Sequence, residues 1–208
     1  MKKSGTLFII SAPSGTGKSS LIKSFINQEK SLNMNISISF TTRDIRSQEI
    51  NGVDYNFISK KKFKLMIYKR KFLEYAKIFN HYYGTSLKDI NLLLSKGKNI
   101  FLDIDWQGAQ QIKKKISNVK SIFLLPPSKK ELFLRLKKRN QDNKQVILNR
   151  MKNFSKEIKH YLEYDYLIIN DKFNLALSHL KSIITSCKLS IYYQNIKYKD
   201  LINNLLKK

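Results

Sequence analysis

Near the start of the chain the apolar residues change from a continuous run to helical spacing, with a turn between the two patterns. Leu7–Ser11 begins with four consecutive apolar residues, two of them β-branched, which predicts a buried strand. Pro13, Gly15 and Gly17 favour a loop, and Lys18–Gln28 then places its apolar residues at helical spacing. The chain therefore opens with a strand, a glycine-rich loop and a helix.

Strand-like runs recur through the rest of the chain, and helical patterns separate them. The further predicted strands are Ile100–Asp105, Ser121–Leu125 and Tyr166–Ile169. Such alternation is typical of a mainly parallel sheet covered by helices, so the predicted fold class is α/β. Two closing helices are predicted at Phe173–Cys187 and Leu189–Leu206.

The segment between the first helix and the second predicted strand has a different pattern. Asn35–Phe40 alternates polar and apolar residues, and Asn51-Gly52 favours a hairpin turn ahead of Tyr55. A helix is predicted at Lys60–Lys69. We therefore expect an antiparallel insertion of about sixty residues that forms a small lobe beside the glycine-rich loop.

Two prolines end the strand that stops at Leu125, and the residues after them favour a helix start. Ser128 with Glu131 fits a capping box. Arginines follow in this helix and the next, with a polar stretch between them: Arg135, Arg139 and Arg150. This arrangement has two interpretations, a mobile lid over anionic ligands or a solvated basic helix face.

The opening loop has the composition of a phosphate-binding loop. Glycines allow backbone N–H groups to converge on a polyphosphate, and the helix N-terminus adds partial positive charge. Lys18 would reach the β- and γ-phosphates, and the Ser19 hydroxyl would ligate Mg²⁺. An ordinary glycine turn is the alternative, since Ala12 stands where the strict pattern has glycine. The predicted ATP-binding residues are Ala12, Pro13, Ser14, Gly15, Thr16, Gly17, Lys18, Ser19 and Ser20.

Two aspartates end the predicted strand at Ile100–Asp105. Strand alternation would place Asp103 and Asp105 on the same side, at the carboxyl end where open α/β sheets bind ligands. A carboxylate here could hold Mg²⁺ and its waters. Either aspartate could instead orient loops or bond a ribose, so the pair is a better candidate than either residue alone.

The inserted lobe contains donors that suit a phosphate monoester. They are two arginines and two tyrosines: Arg43, Arg46, Tyr55 and Tyr83. Glu74 lies in an otherwise apolar segment, and burial of an unpaired carboxylate is costly. It therefore needs donors, either from a ligand or from a neighbouring basic group.

The net charge of the chain indicates which classes of binding partner to expect. Forty basic and fifteen acidic residues among 208 give a formal net charge of +25, with a pI near 10.0. This charge favours polyanions, but the lysines are spread along the whole chain, so a nucleic-acid partner is not the preferred interpretation. Attraction of anionic nucleotides follows more directly. The length suits one sizeable core.

Cysteine usage and the absence of targeting patterns indicate the compartment. A single cysteine, Cys187, excludes an intramolecular disulfide and fits a reducing cytoplasm, where it would be a small core residue. No signal-peptide pattern precedes the first strand, and no apolar run approaches the length of a membrane span. We expect a soluble, cytoplasmic protein.

Several stretches together resemble the bacterial guanylate kinases over essentially the whole chain. In order, they are S-A-P-S-G-T-G-K-S-S (11–20), T-T-R (41–43) with a second arginine at 46, N-G-V-D-Y-N-F (51–57), F-L-E (72–74), Y-Y-G-T-S (82–86), F-L-D-I-D-W-Q-G-A-Q-Q-I (101–112), L-P-P-S-K (125–129) and Y-D-Y-L-I-I-N-D (164–171). The resemblance implies Mg²⁺-dependent transfer of the γ-phosphoryl group of ATP to GMP, with dGMP as a second substrate. It leaves formation of a homo-oligomer open.

The resemblance also implies a P-loop nucleoside monophosphate kinase fold, a mainly parallel sheet flanked by helices with a small mixed α/β lobe and a helical lid. Its parts would be a core at 1–34, 93–125 and 161–208, a GMP-binding lobe at 35–92 and a lid at 126–160.

Site residues follow from the resemblance by position. The catalytic residues would be Lys18, Arg43, Arg135, Arg139 and Arg150. Those binding GMP would be Ser39, Arg43, Arg46, Tyr55, Glu74, Tyr83, Thr85 and Asp105, of which Ser39, Glu74 and Thr85 would read guanine. The metal would be held by Ser19 and Asp103.

The chain departs from the family pattern in two places. Ile45, Ser47 and Gln48 replace prolines and glycine that the family often has, which puts the stiffness of that loop in doubt. Lys138 and Asn140 stand where the lid often has glycine, which puts lid closure in doubt.

Three rival functions remain at this point. A non-catalytic guanylate-kinase-like binding module is disfavoured by the intact Lys18-Ser19 pair. A nucleic-acid-binding protein is suggested only by charge. Kinase action on another monophosphate would conflict with Glu74, an acceptor suited to guanine.

Overall fold

The computed structural model describes residues 5–78, 80–139 and 144–207. In chain order the elements are β1 (Leu7–Ser11), α1 (Lys18–Gln28), β2 (Met34–Ile36), β3 (Phe40–Thr41), β4 (Asn56–Phe57), α2 (Lys60–Tyr68), β5 (Phe72–Ile78), β6 (His81–Ser86), α3 (Leu87–Ser95), β7 (Asn99–Asp103), α4 (Trp106–Lys115), β8 (Lys120–Leu125), α5 (Lys129–Lys138), α6 (Lys144–Glu157), β9 (Tyr166–Ile169), α7 (Phe173–Leu189), α8 (Ile191–Lys197) and α9 (Lys199–Leu206). Short 3₁₀ turns lie at Lys30–Leu32 and Ile158–Glu163.

A parallel sheet of order β2-β7-β1-β8-β9 forms the centre of the described structure. Every residue of β1 is buried, because successive side chains enter the apolar layers on opposite faces. Phe8 and Ile10 pack with Phe25 of α1 on one face, while Leu7 and Ile9 pack with residues of α3 and α4 on the other. The predicted α/β class is confirmed.

The strand predicted at Ile100–Asp105 ends two residues early, at Asp103. Asp105 instead caps α4, and its Oδ1 accepts a hydrogen bond from the N–H of Gly108 at 3.0 Å. A short acidic side chain competes well for the free N–H groups of a helix start, which ends the strand before it. The expectation that Asp103 and Asp105 share one strand face is therefore wrong.

A second sheet of order β4-β3-β6-β5 builds the inserted lobe. Its β3–β6 and β5–β6 pairs are antiparallel, but β3 and β4 run parallel. The prediction of a purely antiparallel lobe is therefore wrong. The turn at Asn51 does not join two hairpin strands. It contacts β4 instead, because the Asn51 side chain accepts a hydrogen bond from the N–H of Phe57 at 2.9 Å.

Helices α5 and α6 and the closing helices complete the described structure. Ser128 caps α5 as predicted, accepting from the N–H of Glu131 at 3.0 Å, and buried Leu132, Leu136 and Phe154 pack α5 against α6. The single helix expected at Leu189–Leu206 is wrong, because α8 and α9 separate at Tyr198.

Three further points concern Cys187, Asn140 and the character of the helices. Cys187 is buried in the core, as expected. Asn140 lies outside the described residues. None of the helices in the described ranges combines the length and apolar character needed to span a bilayer.

Candidate nucleotide-binding site

The loop between β1 and α1 has the backbone that its glycines predict. Gly15 and Gly17 have φ angles of 94° and 96°, a region that side chains with a Cβ rarely adopt. The N–H and the hydroxyl of Thr16 both bond the carbonyl of Pro13, at 3.2 and 2.7 Å. Gly17 caps α1 without a side-chain bond, so the helix presents its first N–H groups to the loop. This geometry fits a bound polyphosphate.

Parallel pairing of β1 with β7 brings Asp103 to this loop. The register places Asp103 opposite Ile10, just before the loop begins. Lys18 Nζ lies 2.6 Å from Asp103 Oδ1, and the Ser19 hydroxyl donates to Oδ2 at 2.8 Å. The three side chains predicted to act on phosphate and metal therefore meet.

The donor set at this point fits magnesium. Mg²⁺ usually takes one or two protein oxygens and completes its shell with water and substrate phosphates. Ser19 Oγ and the Asp103 carboxylate supply such oxygens. Within the described ranges, no group of three or more His, Cys, Asp or Glu side chains could hold a metal.

Arg135 of α5 and Arg150 of α6 contact the phosphate loop or its neighbours. Arg150 Nη1 donates to the hydroxyl of Ser14. Arg135 Nη1 donates to the carbonyl of Asn170 at 2.9 Å. Arg139 lies at the C-terminal cap of α5, where its N–H bonds the carbonyl of Arg135.

Asn170 was not foreseen as a site residue. It is 4% exposed, and its Nδ2 donates to the carbonyl of Thr16 at 2.7 Å. It directly follows β9, so the rule that directed attention to the carboxyl end of β7 applies equally to this position. The residue joins the loop to the lid arginine at 135.

In the lobe, the predicted phosphate donors cluster around an acid that the sequence analysis missed. Glu49 Oε1 lies 2.7 Å from Arg43 Nη2, and its Oε2 accepts from the N–H of Arg46 at 3.0 Å. Burial by itself raises the pKa of Glu49, but the hydrogen bonds from Arg43 and Arg46 outweigh it and lower the pKa. The sequence did contain a signal for this contact. Glu49 lies three residues after Arg46, a spacing at which a turn brings the two residues together.

The two tyrosines of this cluster lie beside Arg43. Its guanidinium stands 5.6 Å from the centre of the Tyr55 ring, and the Tyr55 and Tyr83 rings meet edge to face at 6.0 Å. Burial raises the pKa of Tyr55, so its phenol remains a neutral donor. The four residues predicted to bind a phosphate monoester are brought together.

Glu74 is 3% exposed and lies opposite Thr85 in the β5–β6 pair. Thr85 Oγ1 donates to Glu74 Oε1 at 2.6 Å, and Ser39 Oγ lies 3.5 Å from Thr85 Oγ1. Burial raises the pKa of Glu74 to about 7, and nearby Asp105 adds to the effect while Thr85 opposes it. Its side-chain donor among the described residues is the Thr85 hydroxyl. A neighbouring basic group also acts on it, because the positive charge of Lys115 opposes the rise in the pKa of Glu74.

A second unforeseen acid, Glu157, stands at the end of α6. Burial raises its pKa to about 7, and the positive charges of Lys18 and Arg150 oppose the shift. Arg150 and Glu157 are seven residues apart on one helix, which places them on the same face. That spacing was the available signal.

Comparisons with known proteins agree with this arrangement. The sequence profile of the guanylate kinase family matches residues 4–187. The guanylate kinase of Blochmanniella pennsylvanica is 58% identical over 213 residues, covering 99% of this chain and 98% of its own length. That of Buchnera aphidicola subsp. Baizongia pistaciae is 56% identical over 202 residues, covering 97% and 98%.

A solved structure shows the same fold. The crystal structure of guanylate kinase from Anaplasma phagocytophilum superposes with a TM-score of 0.74 at 30% identity, covering 91% of this chain and 89% of that one. Profile, relatives and fold agree over nearly the full length, and the chain belongs to the guanylate kinase family.

Proposed function

We propose that this protein transfers the γ-phosphoryl group of ATP to GMP, giving ADP and GDP, and that it accepts dGMP as well. The observation that carries the proposal is the buried Glu74 carboxylate, whose side-chain donor among the described residues is the Thr85 hydroxyl. Guanine offers two adjacent donors, N1–H and the N2 amine, to such an acceptor. Because the proposed contacts involve the base and the phosphate, removal of the ribose 2′-hydroxyl should be tolerated.

On the donor side, the loop from Ala12 to Ser20 would bind the ATP phosphates. Lys18 would stabilise negative charge on the transferring phosphoryl group, together with the lid arginines at 135, 139 and 150. The contact of Arg150 with Ser14 supports this role, because it holds a lid cation at the loop.

Residues of the lobe would bind the acceptor. Arg43, Arg46, Tyr55 and Tyr83 would hold the GMP phosphate, and Glu49 supports the proposal by orienting both arginines. Ser39, Glu74 and Thr85 would read guanine. Asp105 would act less directly, because its carboxylate already accepts from Gly108 N–H and from Gln107 Nε2.

Ser19 and Asp103 would hold Mg²⁺, which when bound neutralises charge on the β- and γ-phosphates. The chain itself has mainly to position the two nucleotides and exclude water, and no covalent enzyme intermediate is needed. Closure of lobe and lid around the substrates would prevent hydrolysis of ATP.

The division into core, lobe and lid is part of the proposal. The two sheets support it, and because Asn35 and Ile36 pair with β7 in the core sheet, we propose that the lobe starts after Ile36 and not at Asn35. We further propose a cytoplasmic protein, where ATP and GMP are available and Cys187 stays reduced. Nucleic acid is not a proposed partner.

The decisive experiment compares kcat/KM for GMP, IMP and AMP in the wild-type protein and in Glu74→Gln. GMP should exceed AMP by ~10⁴-fold or more, because AMP would leave a desolvated carboxylate unpaired, and IMP should fall between them. Glu74→Gln should lower the ratio of kcat/KM for GMP to that for IMP, because the NH₂ group of glutamine would face a hydrogen-bond donor of guanine and could not accept from it. Glu29→Gln is the matched control, since Glu29 pairs with Lys181 outside the site.

An unchanged GMP-to-IMP ratio in Glu74→Gln would contradict the assigned role of Glu74.

Lys18→Ala is a second experiment, which distinguishes an enzyme from a non-catalytic binding module. Turnover should fall by at least ~10²-fold in a folded protein, the scale of losing one preorganised donor. Turnover near the wild-type value would contradict the proposed loop chemistry.

A further inference from the structure

Helix α4 lies directly against the carboxylate of Glu74, and it does so at a glycine. A Cβ built on Gly108 would lie 3.0 Å from Glu74 Cδ and closer still to Glu74 Oε2. Real Cβ atoms essentially never approach another heavy atom as closely as this Cβ would approach Oε2. Gly108 lies within α4 and outside the left-handed region. Space, and not backbone conformation, therefore favours glycine here, although glycine is a weaker helix former than alanine.

Side chains of the same helix fasten it to β5 on both sides of Glu74. Gln111 Nε2 donates to the carbonyl of Tyr75 at 2.7 Å, and Gln111 Oε1 accepts from the N–H of Tyr75 at 3.2 Å. Lys115 Nζ donates to the carbonyl of Leu73. Because β5 is the edge strand of its sheet, these bonds satisfy backbone groups that no further strand pairs. The helix cannot move away from Glu74 without breaking them.

The opposite side of the carboxylate is also occupied. Thr85 Oγ1 donates to Oε1 at 2.6 Å, and Thr85 faces Glu74 across the β5–β6 pair. Glu74 thus lies between a hydroxyl on β6 and the bare backbone of α4. Its two oxygens are held by different elements, one by a hydrogen bond and one by close packing.

We propose that Gly108 is a specificity-determining positioning residue, which sets the place of the Glu74 carboxylate by allowing the α4 backbone to pack against it. The inference rests on the proposed reading of guanine by Glu74. A side chain at 108 drives Oε2 out of its place and separates the acceptor from the two donors of guanine. The phosphate-loop contacts of Lys18, Ser19 and Asp103 do not involve Gly108, so the ATP site is spared.

The test is Gly108→Ala, with Lys114→Ala as the control for an added alanine on an exposed position of α4. We expect kcat/KM for GMP to fall at least ~10-fold and the GMP-to-IMP ratio to shrink, by the logic of a displaced hydrogen-bond partner. KM for ATP should stay within about twofold, and Lys114→Ala should match the wild type. A folded Gly108→Ala protein with unchanged GMP kinetics and an unchanged ratio would overturn the inference.

A double variant separates the proposed cause from general damage to the helix. Glu74→Ala removes the carboxylate that a Cβ at 108 would meet. Compared with Glu74→Ala alone, the double variant should therefore show no further loss of kcat/KM for GMP and no lower melting temperature. If Gly108→Ala alone does not fold but the double variant does, the proposed collision is supported. The inference would be overturned if the losses caused by Glu74→Ala and Gly108→Ala added up in the double variant. It would also be overturned if neither Gly108→Ala nor the double variant folded.

Failure of the proposed function is distinguishable from failure of this inference. Glu74→Gln tests the reading of guanine without any change at Gly108. If that variant narrows the GMP-to-IMP ratio and Gly108→Ala does not, the guanine site stands and only the role of Gly108 falls.

Discussion

At the scale of single residues, the acidic side chains of the site differ in what neutralises them. Asp103 meets the ammonium of Lys18, and Glu49 meets the guanidinium of Arg43. Glu74 has a hydroxyl at hydrogen-bonding distance and is almost completely buried. Its charged form is therefore penalised, which is why burial raises its pKa to about 7. A ligand with two donors would restore the charged form.

This shift predicts a pH dependence for GMP binding. If guanine binds the ionised carboxylate, the competent fraction of free enzyme falls up to tenfold per pH unit below the Glu74 pKa of about 7. The Kd for GMP, measured by calorimetry, should therefore rise as pH falls from 8 to 6 and level off above pH 8. Glu74→Gln should lose this part of the dependence.

The GMP phosphate also gains a proton near pH 6, by analogy with other phosphate monoesters, and that contribution remains in Glu74→Gln. The informative quantity is thus the difference between the two pH profiles. Parallel profiles would mean that Glu74 is not the titrating group that binds guanine.

At the scale of elements, the phosphate loop is assembled by parts of the chain far from it. A Cβ on Gly15 would lie 2.7 Å from Leu136 of α5, so this helix packs directly on the loop. A Cβ on Gly17 would lie 2.7 Å from Asn170 Nδ2, which itself donates to Thr16. The loop glycines therefore provide room for neighbouring elements as well as a left-handed backbone.

Asn170→Ala should loosen the loop without touching the lobe. It removes the bond to the carbonyl of Thr16, while the backbone carbonyl that Arg135 uses remains. We expect a loss of about 1–3 kcal/mol in the free energy of unfolding, since a buried carbonyl loses its partner, and a rise in KM for ATP. KM for GMP should change much less.

Asn170→Asp tests the same bond with nearly the same shape, because a carboxylate cannot donate to the Thr16 carbonyl. Asn195→Ala, at an exposed position of α8, is the control for loss of an asparagine. Denaturant unfolding and steady-state kinetics in both nucleotides provide the readout. Wild-type stability and KM for ATP in both Asn170 variants would remove the residue from the site.

At the scale of the whole molecule, the formal charge of +25 surrounds a site whose substrates are anions. Such a field raises association rates and weakens as salt screens it. Raising ionic strength from about 0.01 M to about 0.15 M shortens the Debye length from about 30 Å to about 8 Å. The association rate constant of a fluorescent GMP analogue should therefore fall over this range in stopped-flow measurements.

The neutral nucleoside guanosine, tested by competition, is the control, because its binding should depend little on salt. If GMP associates at the same rate across the range, the net charge has no part in capturing nucleotides. It would then be a property of composition alone.

How far the sequence could predict the fold depended on how local each signal was. The bounds of β1, α1 and β9 were predicted correctly, because runs of apolar residues and turn residues define them from within. The start of α5 followed from Ser128 for the same reason. The strand end at Asp103 was missed, because an alternating run does not say where an aspartate turns from strand residue to helix cap.

The sequence by itself determined the phosphate loop and its helix, since glycine conformation, strand period and helix spacing act over a few neighbouring residues. Only the tertiary structure decided the partners of the site: Thr85 for Glu74, Thr16 for Asn170, and the bare backbone of Gly108 behind the carboxylate. These contacts join residues of different strands, loops and helices. Strand pairing and helix packing set their register, and no pattern within one segment contains that information.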